Sequence, residues 1–159
     1  MPDEKLMTCL WFNMNAEEAV DFYLSVFKNG KKHHTAYYGD AGPAKKGEVL
    51  TIVFEIEGQR FLALNGGANF HFTPAISIVV NCEDQKEVDA LWDKLTANGG
   101  KEVQCGWLTD KFGLSWQIVP REIMKLYEKN DQRRIDNMMR AMFPMKKLDL
   151  AAMKAAYDA

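Results

Sequence analysis

The side chains with the widest range of chemistry are three cysteines and three histidines, which could serve as metal ligands or as a nucleophile and its base. No two cysteines have the C-x-x-C spacing of a zinc or redox motif. His33 and His34 are adjacent on a predicted strand, where side chains alternate between faces, and His71 lies between two phenylalanines. We therefore expect surface or packing roles for the histidines. Cys105, beside Gly106 and Trp107, is the thiol in the most motif-like setting, but the sequence shows no base that would activate it.

Composition narrows the class of protein. The 159 residues are 47% hydrophobic with a net charge of -2, which predicts a folded domain and gives no basic footprint for nucleic acid. An odd number of cysteines fits a reducing compartment better than a disulfide framework. The N-terminal sequence M-P-D-E-K lacks the apolar segment of a signal peptide, and no apolar run reaches membrane-spanning length. These features predict a cytoplasmic protein without a membrane partner.

An internal repeat predicts the helices and strands that would position any functional residues. The segment from Asn15 to Lys32 and the segment from Asp84 to Lys101 share one pattern. Each begins with an N-cap residue and has Glu three positions later, the spacing of a capping box. Each continues with apolar residues at helical spacing and ends at Asn-Gly, a signal for a left-handed C-cap. The matching apolar pairs are Ala19 and Val88, Phe22 and Leu91, Tyr23 and Trp92, and Val26 and Leu95.

The repeat predicts two helices, at about Asn15–Lys28 and Asp84–Asn98, each preceded by a strand and followed by about three more. In the first repeat, Glu57-Gly58 is a hairpin turn signal. The second repeat shows shorter strands, or one clear strand fewer. We expect one domain built of module one (1–70), module two (71–120) and a C-terminal helical tail (121–159).

The tail carries a methionine-rich stripe before Pro144, at positions Ile135, Met138, Met139 and Met142. Asp149 can cap a last short helix. Such a stripe is usually adaptable packing. Because each module already has a helix to cover its sheet, we expect the stripe to pack against a second subunit. The open alternative is that the tail folds back on its own chain and leaves a monomer.

Several segments together resemble a known family. They are L-W-F-N-M-N-A-E-E-A-V-D-F-Y, N-G-G-A-N-F-H-F-T-P-A-I-S, N-C-E-D-Q-K-E-V-D-A-L-W, C-G-W-L-T-D-K-F-G-L-S-W-Q-I-V-P and the tail M-M-R-A-M-F-P-M-K-K-L-D-L-A-A-M-K-A-A-Y. They resemble the PhnB-like family of the vicinal-oxygen-chelate superfamily, which includes glyoxalases, bleomycin resistance proteins and extradiol dioxygenases. The resemblance extends over essentially the whole chain. Members commonly carry the label 3-demethylubiquinone-9 3-methyltransferase.

The resemblance implies an α+β fold of paired β-α-β-β-β modules, with curled, mainly antiparallel sheets around a shared cleft, and a homodimer. Metal-dependent relatives hold a divalent ion with residues on the first and last strand of each module. The corresponding positions here are Thr8, Asn65, Ser77 and Gln117. Neutral hydroxyls and amides are poor ligands for a transition metal, so we expect no metal and no cofactor. Two roles stay open for these residues: binding a polar small molecule, or hydrogen-bonding one another.

A methyltransferase that uses S-adenosylmethionine is not expected from the residues. Such enzymes have a Gly-rich turn between a strand and a helix. Here the pair Gly66-Gly67 leads into N-F-H-F-T-P, which favours an extended linker.

The first hypothesis is therefore a metal-free protein that binds a small polar or aromatic molecule in a cleft. We expect the cleft to be lined by Thr8, Leu10, Phe12, Asn65, Ser77, Trp107 and Gln117. The alternatives are an enzyme of unknown reaction, including metal-dependent isomerase or dioxygenase chemistry, and a structural role through the tail. The sequence identifies no catalytic residue.

Overall fold

The protein has an α+β fold that divides into two compact units, one ending at His71 and one running from Phe72 to Ala159. A computed structural model describes residues 5–159. Each unit contains a four-stranded mixed sheet with one parallel and two antiparallel pairings. The predicted duplication is thus present in the fold.

The first unit has the predicted order of one strand, one helix and three strands. Its elements are β1 (Thr8–Phe12), α1 (Ala16–Val26), β2 (Gly30–Tyr37), β3 (Val49–Ile56) and β4 (Gln59–Asn65). The order across the sheet is β1-β4-β3-β2, with β1 parallel to β4. The predicted hairpin turn joins β3 to β4, where Glu57 and Gly58 both have positive φ.

The second unit repeats this arrangement. Its elements are β5 (Ser77–Cys82), α2 (Gln85–Thr96), β6 (Lys101–Glu102), β7 (Trp107–Thr109) and β8 (Ser115–Pro120). The sheet order is β5-β8-β7-β6, equivalent to the first. The strands are shorter, as expected, because the predicted strand from Glu102 to Thr109 is broken by a loop. In that loop Cys105 and Gly106 have positive φ.

Three further helices complete the second unit: α3 (Arg121–Glu128), α4 (Gln132–Met142) and α5 (Leu150–Asp158). The expected cap of the last helix is present, since the Asp149 side chain accepts a hydrogen bond from the Ala152 N–H. None of the helices in residues 5–159 is long and apolar enough to cross a membrane.

The methionine-rich stripe is buried within its own unit. Ile135 and Met138 are 7% and 0% exposed, and they belong to one apolar cluster with Ile123, Leu126, Leu148, Met153 and Tyr157. Met139 and Met142 pack against the same cluster. The expectation that the stripe needs a second subunit to cover it is therefore wrong. The loop after α4 returns the chain so that α5 covers the stripe instead.

One helix covers one face of each sheet. In the first unit Tyr23 of α1 stacks on Phe54 of β3 at 6.1 Å between ring centroids, and Phe54 stacks on Phe61 of β4 at 5.4 Å. Because strand side chains alternate, this packing decides which residues of each strand face the helix and which face away.

The two helix starts differ, although the repeat predicts a capping box at both. In α2 the Asp84 side chain accepts from the Glu87 N–H at 2.9 Å, as expected. In α1 the Asn15 side chain makes no cap hydrogen bond. Asn15 is at the N-cap position as predicted, but the side chain of Asn65 supplies the cap hydrogen bond instead.

The two helix ends differ as well. Asn98, after α2, has the predicted left-handed conformation with φ 56°. After α1 the chain turns into extended backbone at Phe27, and Gly30 begins β2. A Cβ on Gly30 would lie 2.7 Å from Leu24 Cδ2 and 3.1 Å from the Glu55 carbonyl oxygen, so this glycine fits close packing of β2 and not a left-handed cap.

Candidate functional site

The seven residues predicted to line a ligand site fall on different faces of the two sheets. In the first unit, Leu10 and Phe12 are 4% and 2% exposed. They pair with Ala63 and Asn65 of β4 on the face that α1 covers. Contact of Leu10 and Phe12 with a ligand stays a prediction, and both side chains are buried in this structure. Thr8 is exposed, but it lies on the same face of β1 at the start of the strand.

The role of Asn65 in ligand binding also stays a prediction. It is 1% exposed, and both ends of its side-chain amide are in use. Its Oδ1 accepts from the Ala16 N–H at 2.8 Å, and its Nδ2 donates to Glu17 Oε2 and to the Val49 carbonyl, each at 2.9 Å. The Tyr38 hydroxyl donates to the Asn65 main-chain oxygen at 2.6 Å. Asn65 therefore joins α1, β3 and β4 through both ends of its side-chain amide.

The face of the first sheet that points away from α1, the α1-distal face, carries residues that the sequence analysis did not select. It is formed by Cys9, Trp11, Thr51, Val53, Glu55, Arg60, Leu62 and Leu64. The continuous apolar run L-W-F hid the alternation here, because a run without polar residues does not show which side is inside. The signal that could have revealed this face lies in β3, where Thr51 and Glu55 alternate with the apolar residues Ile52, Phe54 and Ile56.

Two features order this face. Trp11 Nε1 donates to the Gly67 carbonyl at 2.8 Å, and its ring meets Phe70 edge-on at 4.9 Å, which holds the connection after β4 against β1. Glu55 Oε2 accepts from His33 Nε2 at 2.8 Å and from Arg60 Nε at 3.2 Å. The hydrogen bond from His33, followed by that from Arg60, lowers the pKa of Glu55 and keeps it a carboxylate.

The three predicted residues of the second unit do lie together. Ser77, Trp107 and Gln117 are on the face of the second sheet that points away from α2, the α2-distal face. Gln117 pairs with Trp107 of β7 on one side and with Val79 of β5 on the other. Its Nε2 donates to Ser77 Oγ at 2.9 Å. The alternative that the polar positions hydrogen-bond one another is thus realised for this one pair.

A buried carboxylate lies next to this part of the sheet, at the turn between β7 and β8. Asp110, 2% exposed, accepts from the N–H groups of Phe112 and Leu114 and from Trp116 Nε1 at 2.8, 3.1 and 2.9 Å. These bonds fix the tight turn between β7 and β8 and hold the indole of Trp116 on the face of the sheet that α2 covers. The turn therefore sets the register in which Trp107 meets Gln117.

The cysteines show no partner set for covalent chemistry. Cys82 is buried under α2, where loss of solvation raises the pKa of its thiol to about 12. Cys105 Sγ lies 4.0 and 3.9 Å from the carbonyls of Met142 and Phe143, which are acceptors and not bases for a thiol. The raised pKa keeps Cys82 a thiol at neutral pH.

The four metal-ligand positions do not fit a divalent ion. Thr8 and Asn65 face α1, and the Asn65 oxygen is already occupied by a backbone N–H. Ser77 and Gln117 are neutral and bonded to each other. Over residues 5–159, no group of three or more His, Cys, Asp and Glu side chains is placed to hold a metal.

Two mixed sheets, each with one covering helix and an equivalent strand order, define the protein as a member of the glyoxalase-like, vicinal-oxygen-chelate fold class. The chain belongs to the family described as 3-demethylubiquinone-9 3-methyltransferase, whose model matches residues 4–119. The tail follows the matched region, although the sequence resemblance was expected to include it.

Solved structures agree with this assignment. One is a PhnB protein from Bacillus cereus, described as a candidate 3-demethylubiquinone-9 3-methyltransferase, which is 36% identical to this chain with a TM-score of 0.66. The match includes 74% of this chain and 99% of the Bacillus cereus protein. A protein from Pseudomonas aeruginosa shares the fold at 21% identity and a TM-score of 0.62, with 74% of this chain covering 98% of it. No curated protein matches the chain.

The fold also extends to a fosfomycin resistance protein, FosX, from Listeria monocytogenes, crystallised as a mutant with Mn(II) and 1S,2S-dihydroxypropylphosphonic acid. It is 16% identical with a TM-score of 0.51, and 75% of this chain covers 93% of it. At this identity the likeness concerns the fold alone.

Proposed function

We propose that this protein binds a small polar or aromatic molecule without a metal ion, and that Ser77, Trp107 and Gln117 carry the binding. The observation behind the proposal is the arrangement on the α2-distal face. An amide held by a hydroxyl lies there beside a half-buried indole. An apolar surface with a few oriented polar groups is the usual composition of a small-molecule site.

The donor chemistry supports binding without a metal. A hydroxyl and an amide that already bond to each other offer no charge to a divalent cation, whereas both suit hydrogen bonding to an organic ligand. The alternative of metal-dependent isomerase or dioxygenase chemistry would need ligands from other residues.

The methyltransferase activity in the family description finds no support in the fold. Gly66 and Gly67 lie beyond β4 in a segment that forms no helix before β5. At Gly66 a Cβ would lie 2.3 Å from the Trp11 ring, which explains this glycine by packing and not by contact with a cofactor. We therefore regard the description as a family label.

Our proposal includes a homodimer and a cytoplasmic location. The dimer rests on the family resemblance, because the tail stripe is covered within its own chain. The location rests on the three cysteines, which are free.

Two measurements test the binding function. Protein purified with a metal chelator and dialysed should be screened by NMR against neutral and charged aromatic fragments, with the indole signal of Trp107 and the side-chain amide of Gln117 assigned. We expect ligands that shift both signals in the chelated protein. Binding that appears only after Mn²⁺, Zn²⁺ or Fe²⁺ is added would overturn the proposal in favour of the metal-dependent alternative.

A matched pair of variants gives the control. Gln117→Met removes the amide from the α2-distal face, while Gln59→Met removes an exposed amide that bonds to its neighbour Arg60 in the first unit. We expect ligand binding to weaken in the first variant and to stay unchanged in the second. Equal binding by both would show that the site lies elsewhere.

A further inference from the structure

The α2-distal face is organised in rows of side chains that cross neighbouring strands. One row contains Val79, Gln117 and Trp107, because Gln117 of β8 pairs with both of the others. The next row contains Ser77, Ser115 and Thr109. Cβ atoms of directly opposed residues are about 5 Å apart, so the first row forms a continuous strip with the amide of Gln117 at its centre.

The two ends of the Gln117 amide have different environments. Nε2 donates to Ser77 Oγ at 2.9 Å, which fixes the plane of the amide and leaves Oε1 as its acceptor end. Within the described part of the chain, neither Gln117 Oε1 nor Trp107 Nε1 has a hydrogen-bond partner, and both atoms are accessible to solvent. The oriented acceptor Gln117 Oε1 therefore lies beside the indole of Trp107, whose Nε1–H is a hydrogen-bond donor.

Charge is nearly absent from this face. The residues that β5, β7 and β8 place on it are all neutral: Ser77, Val79, Asn81, Trp107, Thr109, Ser115, Gln117 and Val119. The ionisable residue on the face is Lys101, at the edge strand β6, two strands away from Gln117's strand and so roughly 10 Å from it.

The corresponding face of the first unit is different. There Glu55 is bonded to His33 and Arg60. A charged ligand on the second sheet would lose hydration without gaining a partner of opposite charge, which disfavours its binding.

We infer that the ligand of this site is an uncharged, planar ring compound that donates a ring N–H hydrogen bond to Gln117 Oε1 and lays its ring against the indole of Trp107. Cyclic amides such as lactams fused to an aromatic ring have this chemistry. Such a ring carries a donor for Gln117, a carbonyl that can accept from Trp107 Nε1, and a flat face for the indole. The inference rests on the proposed function and makes it more specific.

Four matched probes test the class of ligand, all in the presence of a metal chelator. They are 2-quinolone, N-methyl-2-quinolone, quinoline-2-carboxylate and N-methylquinolinium, which share one bicyclic ring. The N-methyl form loses the N–H donor and keeps the carbonyl, whereas the two ions lose the lactam group and carry a negative or a positive charge. We expect 2-quinolone to bind about 10-fold more tightly than each of the others, as measured by NMR titration at the Trp107 indole. The loss of the N–H donor in the N-methyl form and the replacement of the lactam by an ionic group should each be sufficient to cause the difference.

Two variants connect the selectivity to the amide. In Gln117→Met the difference between 2-quinolone and its N-methyl form should disappear while the fold is kept. In Gln117→Glu the preference should shift toward N-methylquinolinium, because the new carboxylate supplies the missing opposite charge. A residue with a purely structural role would not change the order of the probes.

The outcomes separate this inference from the proposed function. If a charged probe binds as tightly as 2-quinolone, or if 2-quinolone does not bind while other fragments shift Trp107 and Gln117, the ligand class is wrong and the binding function stands. If no fragment shifts these two signals, the proposed function and the inference both fail.

Discussion

The side-chain oxygen of Asn65, at the end of β4, accepts a hydrogen bond of 2.8 Å from the backbone N–H of Ala16, the first residue of α1. The last strand of the first unit thereby caps the helix that follows its first strand. The contact joins residues that are 49 positions apart. It is the cap hydrogen bond that the repeat predicts for the Asn15 side chain.

Replacing Asn65 should destabilise the first unit. Asn65→Ala removes bonds to Ala16, Glu17 and Val49 from a buried position, and we expect a loss of about 2–4 kcal/mol in the free energy of unfolding. Denaturant unfolding measures this loss. The matched control is Asn15→Ala, which removes a side chain without a cap bond and should cost less than about 0.5 kcal/mol. The reverse order of the two effects would show that Asn15 is the real cap.

Gln85 should attach the tail to α2. Its Nε2 donates to the Leu148 carbonyl at 3.0 Å and its Oε1 accepts from the Leu150 N–H at 2.9 Å, so one amide bonds to the backbone on both sides of Asp149. In Gln85→Ala we expect faster hydrogen exchange at the start of α5, corresponding to about 1–3 kcal/mol of local stability.

The control for this prediction is Gln132→Ala. Gln132 makes the same type of contact within a helix, to Asp136, but it is exposed and, within residues 5–159, bonds to no other segment. Exchange in α5 should be unchanged in that variant. Unchanged exchange in Gln85→Ala would contradict the proposed attachment.

Met138 should stabilise the single chain, whatever its state of assembly. It is completely buried in the cluster formed by α3, α4 and α5, so Met138→Ala should cost about 2–5 kcal/mol. Met124→Ala, at a position 46% exposed, is the control and should change the stability by less than about 0.5 kcal/mol. A cost that appears only at protein concentrations where the chain associates would place Met138 at a subunit contact.

The homodimer can be tested independently of the tail stripe. Light scattering at micromolar concentration should give twice the mass of one chain. Met138→Ala should lower the unfolding midpoint at all concentrations without selectively lowering this mass. A monomeric mass for the unmodified protein would show that the dimer proposal is wrong.

Alkaline pH should destabilise the second unit through Cys82. Burial raises the pKa of its thiol from 9.0 to about 12, so the folded state keeps the proton more tightly than the unfolded state does. The resulting stability is complete below pH 9 and is lost as the pH rises from about 9 toward 12. Unfolding free energies across this range should fall less steeply in Cys82→Ala.

In the folded protein a thiol reagent should modify exposed Cys9 well before Cys82.

Local sequence determined much of the architecture. The helices α1 and α2, the turn at Glu57-Gly58 and the cap at Asp149 follow from spacing and turn chemistry within a few residues of each site. Such features depend on near neighbours, so a single sequence contains the information that specifies them. The position of Ser77, Trp107 and Gln117 on one face of the second sheet also follows from strand alternation.

Only the tertiary structure decided which face of the first sheet is inside. In the run Leu10-Trp11-Phe12 every residue is apolar, so either alternation is compatible with a buried strand. Packing of Tyr23 of α1 against Phe54, which stacks on Phe61, places Leu10 and Phe12 in the core and leaves Trp11 on the other side. The partners of Asn65 and the covering of the methionine stripe by α5 were decided in the same way. Each depends on contacts between segments distant in sequence, and burial and hydrogen bonding across those contacts select one arrangement from several that local patterns permit.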